Sequence, residues 1–105
     1  MKLGKGKQIQ REMPDEFSRQ MTLSSVIATI ERLVQDWDLA QPIEAGTRLV
    51  GDLGFESIDL IQMAAAMGQE FGRRNLGFAE LLIVDGRYVD DLTVGQIADF
   101  LAARL

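Results

Sequence analysis

Asp52-Leu53-Gly54-Phe55-Glu56-Ser57-Ile58-Asp59-Leu60 sets one hydroxyl behind a glycine and between two carboxylates, where an irregular stretch gives way to helical spacing. Downstream, apolar residues recur at Leu60, Met63, Ala64, Met67 and Phe71, which line one face of a helix. Ser57 suits the N-cap, because a serine oxygen accepts an otherwise unpaired N–H of the first turn. The spacing predicts a helix from about Ser57 to Phe71, closed by Gly72, with Arg73 and Arg74 beside its negative end. Ile58, Ile61 and Ala65 lie off the apolar face and, with Asp59, make a mixed apolar and acidic strip beside the serine. A broader buried stripe accounts for Ile61 nearly as well.

Upstream, Leu23, Val26, Ile27, Ile30, Leu33, Val34 and Trp37 fall on one stripe and predict a first helix from Thr22. Pro42 forbids its continuation, and Ile43, Leu49 and Leu53 give the following loop apolar anchors. Residues 72–92 admit two readings: a short helix around Phe78, Leu81 and Leu82 followed by a turn, or two short strands around Asp85-Gly86. The first is preferred. Thr93 then caps a last helix whose Val94, Ile97, Ala98, Leu101 and Leu105 share a face. The expected fold is all-α, a small four-helix bundle with three long helices and a short third one. Residues 1–20 are expected to be a flexible basic tail ahead of a domain at 21–105, since they include Pro14, lack a sustained period and carry five cations against three carboxylates. Met21 is a possible alternative start.

Composition narrows the chemistry. The 105 residues are 47% apolar, as expected of one globular domain. There is no cysteine and no histidine, which removes thiolate chemistry, the commonest general base and the commonest protein metal ligand. A serine hydrolase would need a Gly-x-Ser-x-Gly frame and a histidine to pair with Ser57, and the sequence has neither. Asp36 and Asp38 lack the loop glycine and terminal glutamate of an EF-hand. No metal site is expected. The net charge is −5, and Asp36 to Glu70 holds seven carboxylates against Arg48 alone. Such a surface repels nucleic acid and attracts basic protein patches. Without an apolar h-region or a membrane-length apolar run, the chain is expected to be cytoplasmic, with no membrane insertion, and monomeric by default.

The Asp52 to Phe71 block resembles the attachment site of acyl carrier and peptidyl carrier proteins, in which an Asp-Ser-Leu triplet follows a Leu-Gly pair. Here Leu53-Gly54 precedes Glu56-Ser57-Ile58, and Asp91-Leu92-Thr93-Val94 at the entry to the last helix adds to the likeness. The resemblance spans roughly Met21 to Leu105 and implies the four-helix bundle of the acyl-carrier type. It implies that Ser57 is esterified by 4′-phosphopantetheine, taken from coenzyme A by a separate phosphopantetheinyl transferase that supplies the base and magnesium. Acyl intermediates would then be tethered as thioesters and presented to biosynthetic enzymes by a non-catalytic carrier. The helix after the serine is the one that partner enzymes grip in this family, which implies recognition roles for Ile58, Asp59, Ile61 and Gln62, with Glu56 beside them. Acyl-loading and acyl-processing enzymes with basic patches are the implied partners. Gln62, Ala65, Gly68 and Gln69 are neutral where fatty-acid carriers often have acids, which favours a specialised lipid or polyketide-like pathway over generic fatty acid biosynthesis. Two alternatives stay open: an aminoacyl or peptidyl carrier, and an acidic helical interaction module in which Ser57 is only a cap.

Overall fold

In the computed structural model, which describes residues 16–73 and 76–105, helix α1 spans Glu16–Leu33. It starts well before Thr22, so residues 16–20, expected in the tail, are helical and continuous with the domain's first helix, while residues 1–15 lie outside the described residues. Periodicity could not mark this start, because Phe17 and Met21 in the first turns face solvent, 69% and 56% exposed. Local chemistry supports it instead. Glu16 stands at the positive end of the helix dipole, and Gln20 Nε2 donates to Glu16 Oε2 at 3.2 Å one turn on. The helix stops before Trp37, which lies in a turn and sets its ring edge-on to Phe55 at 5.6 Å.

Helix α2 spans Ser57–Glu70 and ends as its sequence demands. The Arg73 N–H reaches the Gly68 carbonyl at 2.9 Å and the Gly72 N–H reaches Gln69 at 3.3 Å, a Schellman closure in which Gly72 takes the left-handed φ of 67°. Helix α3, Phe78–Leu82, leads directly into strands β1 (Ile83–Val84) and β2 (Arg87–Tyr88). They pair antiparallel, Ile83 with Tyr88 and Val84 with Arg87, across Asp85-Gly86, whose positive φ values are those of a type I′ turn. Both readings of residues 72–92 thus hold for part of the segment, and the described residues are mostly helical with one small hairpin. Helix α4, Val94–Arg104, starts at Thr93, whose Oγ1 accepts the Gln96 N–H at 3.1 Å while Gln96 Oε1 accepts the Thr93 N–H at 2.8 Å.

Helix α1 packs against α4 and α2. Val26 and Ile30 of α1, Met63 and Met67 of α2, and Ile97 and Leu101 of α4 are fully excluded from solvent in one apolar cluster. Phe78 and Leu82 of α3 extend it, and the Phe78 ring lies 5.4 Å from Phe100. Leu105, expected on the buried face of the last helix, is 48% exposed because α4 ends at Arg104. Thr29, buried on α1, donates its hydroxyl to the Ser25 carbonyl at 2.8 Å. Two exposed ion pairs, Arg32–Glu70 and Arg104–Glu80, join helix ends and add about 0–1 kcal/mol each. Among the described residues, no helix is long and apolar enough to cross a membrane.

Candidate functional site

Ser57 is exposed in the first turn of α2, and its hydroxyl has no hydrogen-bond partner among the described residues. It is not the N-cap. That position belongs to Glu56, whose backbone is extended at φ −107° and ψ 176°. The reason lies two residues further on. The Asp59 carboxylate folds back to accept the Glu56 N–H at 2.8 Å, and the Asp59 N–H bonds to the Glu56 carbonyl at 2.9 Å, so the helix starts one residue earlier than a serine cap would start it. The serine is thereby released from a capping role and left facing solvent.

The turn ahead of the serine is closed by its own backbone. Asp52 and Leu53 donate to the Arg48 carbonyl, Gly54 donates to Val50 at 3.0 Å and Phe55 donates to Leu49 at 2.9 Å. Gly54 reverses the chain at φ 76°, a left-handed conformation that costs a side-chain-bearing residue energy. Phe55 then turns inward and is buried, whereas Glu56, Ser57 and Ile58 remain outside.

Asp91 holds this turn from the far side of the sequence. Its carboxylate accepts the N–H groups of Val50 (2.8 Å), Gly51 (2.9 Å) and Leu92 (2.8 Å). Beside it, Leu49 donates to the Leu92 carbonyl, Val94 to Thr47 and Gly95 to Ala45, all within 2.9 Å, so the loop is zipped onto the entry of α4. Arg48 braces the same turn, with its N–H on Asp52 Oδ2 at 2.8 Å and its guanidinium on Asp52 Oδ1 at 3.2 Å. The packing is tight. A Cβ on Gly51 would lie 2.9 Å from the Arg48 guanidinium carbon and 3.1 Å from Asp91 Oδ2. In the sequence Asp91 stands only at the entry to the last helix. The one signal for a larger role was its place in Asp91-Leu92-Thr93-Val94.

These contacts set the charges. The Arg48 N–H, and then its side chain, hold the Asp52 carboxyl below the usual carboxylate range, and Asp52 in return raises Arg48. At Asp91 desolvation, the largest single influence, pushes upward, but the three N–H donors and Arg48 together outweigh it and the carboxyl is lowered. A lowered folded-state pKa gives stability that is present above the unfolded value of about 3.9 and is lost as pH falls through the folded one. Melting temperatures taken between about pH 5 and pH 2 are therefore expected to fall toward acid, and to fall less in Asp91→Asn. Equal slopes for the two proteins would deny Asp91 this contribution.

Around the serine, Ile58 and Ile61 are 54% and 51% exposed, Gln62, Ala65 and Glu56 face solvent, and Asp59 is half-buried. Ile61 therefore belongs to the outer strip rather than to a widened buried stripe. A groove of about 680 Å³ runs between Trp37–Pro42 and Gly51–Leu53, and Ser57 does not line it. No group of three or more carboxylates that could hold a metal gathers among the described residues.

No protein-family model matches the chain, and neither a curated protein nor a solved structure matches it. The role of Ser57 has to be found in its own surroundings. These offer a solvent-facing primary hydroxyl on a clamped turn, at the positive end of a helix, with an apolar and acidic strip beginning at the next residue.

Proposed function

We propose that this chain is a discrete acyl carrier protein whose attachment residue is Ser57. The observation that carries the reading is the exposed Ser57 hydroxyl, unpartnered among the described residues, in the first turn of α2 behind the left-handed Gly54. An acceptor for a bulky group transferred by another enzyme needs this accessibility. The order of long, long, short and long helices supports the four-helix bundle of the acyl-carrier type. When bound, 4′-phosphopantetheine supplies a flexible arm ending in the sulfhydryl that a cysteine-free chain lacks, and acyl groups are carried there. The positive end of the α2 dipole favours a phosphate linkage at Ser57 and partly offsets repulsion from Glu56 and Asp59. Ser57 itself is a weak nucleophile at neutral pH, and with no histidine on the chain its proton is removed by a base of the transferase.

Glu56, Ile58, Asp59, Ile61 and Gln62 form the recognition surface in this reading, matched to basic patches on the transferase and on acyl-loading and acyl-processing enzymes. The neutral residues of α2 favour a specialised lipid or polyketide-like pathway, and an aminoacyl cargo would use the same attachment. Asp59→Arg is expected to slow modification severalfold by reversing the charge beside the serine. The same change removes the acceptor of the Glu56 N–H and puts a cation at the helix start, a cost of about 1 kcal/mol. Initial rates are therefore compared well below the melting temperature, with Asp59→Asn alongside. Identical rates for all three proteins would remove Asp59 from the surface.

The decisive test is incubation with coenzyme A and a broad-specificity phosphopantetheinyl transferase, followed by intact mass measurement. The carrier gains one phosphopantetheine. An acidic interaction module without an arm gains nothing.

A further inference from the structure

We infer that Asp91 is a positioning residue for Ser57: by holding the Val50 and Gly51 amides, its carboxylate fixes the Arg48–Phe55 turn that presents the serine to the transferase. The inference rests on the attachment role proposed for Ser57. The serine side chain has no hydrogen bond to any other described residue, so its position is inherited from the backbone before it. That backbone runs back through two hydrogen bonds, Phe55 to Leu49 and Gly54 to Val50. Both acceptor residues are in turn tied to the start of α4, Leu49 through the Leu92 carbonyl and Val50 through Asp91. The Arg48–Asp52 pair, by contrast, is exposed and lies within the turn, so it stiffens the turn without anchoring it.

A carboxylate suits this position because it accepts several N–H donors at once and offers none in return. Asparagine has nearly the same shape, but its amide NH2 would point at a backbone N–H and leave one of Val50, Gly51 or Leu92 unpaired. In Asp91→Asn the turn then spends less of its time in the presenting arrangement. A loss of that kind raises the apparent dissociation constant by the inverse of the competent fraction and leaves the chemical step alone. The expected result is a rise of about tenfold in the transferase KM for the full-length chain, with kcat nearly unchanged.

The experiment measures transferase kinetics with coenzyme A on the wild type, Asp91→Asn and Leu101→Ala, at a temperature where circular dichroism shows all three folded. Leu101→Ala removes buried volume from the far half of α4 and serves as the destabilised control. Amide exchange at Val50, Gly51 and Phe55 is read in parallel and is expected to speed up in Asp91→Asn more than in the core. A raised KM in Asp91→Asn, with the control at the wild-type value, supports the inference. Unchanged KM, or equal rises in both variants, overturns it. Should Asp91→Asn not fold, Asp91→Ser takes its place, since one short hydroxyl cannot accept the Val50, Gly51 and Leu92 N–H groups together. An unchanged KM there overturns the inference equally. A wild-type chain that gains no arm overturns both this inference and the attachment role, while a modified wild type with unperturbed variants overturns the inference alone.

Discussion

Met63→Asp is expected to remove a large part of the stability of the fold. Met63 is fully excluded from solvent in the cluster that α1, α2 and α4 share, and among the described residues no basic side chain is buried. A carboxylate there would lose its hydration without gaining a partner and would also forfeit the contacts of the thioether chain. The cost, on the order of 5 kcal/mol, compares with a total stability of roughly 5–15 kcal/mol for a domain. At about 4–8 °C per kcal/mol the melting temperature drops by roughly 20 °C or more. The measurement is a thermal melt followed by far-ultraviolet circular dichroism, and a shift of only a few degrees would contradict the shared core. Leu33→Asp has a smaller effect than the stripe alone would suggest, because Leu33 is half-buried at the last residue of α1.

Ser57→Ala is expected to eliminate the mass gain entirely while leaving the melting temperature within a few degrees of wild type. The two readouts answer different questions. A serine serving as the helix cap would cost about 0.5–2 kcal/mol on truncation, whereas an exposed hydroxyl without a partner costs within about 0.5 kcal/mol. Glu56 and Asp59 complete the start of α2 without the serine, so the second figure applies. Modification of Ser57→Ala at another residue would sink the assignment of the site, and a large loss of stability would restore the capping role.

Much of α2 was legible, because its start lies at a change of period, its face repeats from Leu60 to Met67, and Gly72 supplies the left-handed closure. Thr93 was legible as a cap for the same local reason. What escaped was either compensated locally or spread along the chain. Serine and glutamate compete for the cap of α2, and the outcome turns on Asp59 bending back to the Glu56 N–H, which a ranking of single residues does not contain. The start of α1 was hidden because Phe17 and Met21 are apolar yet exposed, so the stripe carries no mark of it. Trp37 continued the stripe numerically but lies beyond the helix, against Phe55. Asp91 lies 41 residues after Val50, and no periodicity joins an acceptor to a donor at that separation.

That separation also orders events during synthesis. The turn before the serine is translated before Asp91, so its anchoring amides find their acceptor only once some forty further residues have been made. The serine thus emerges before the acceptor that fixes its platform.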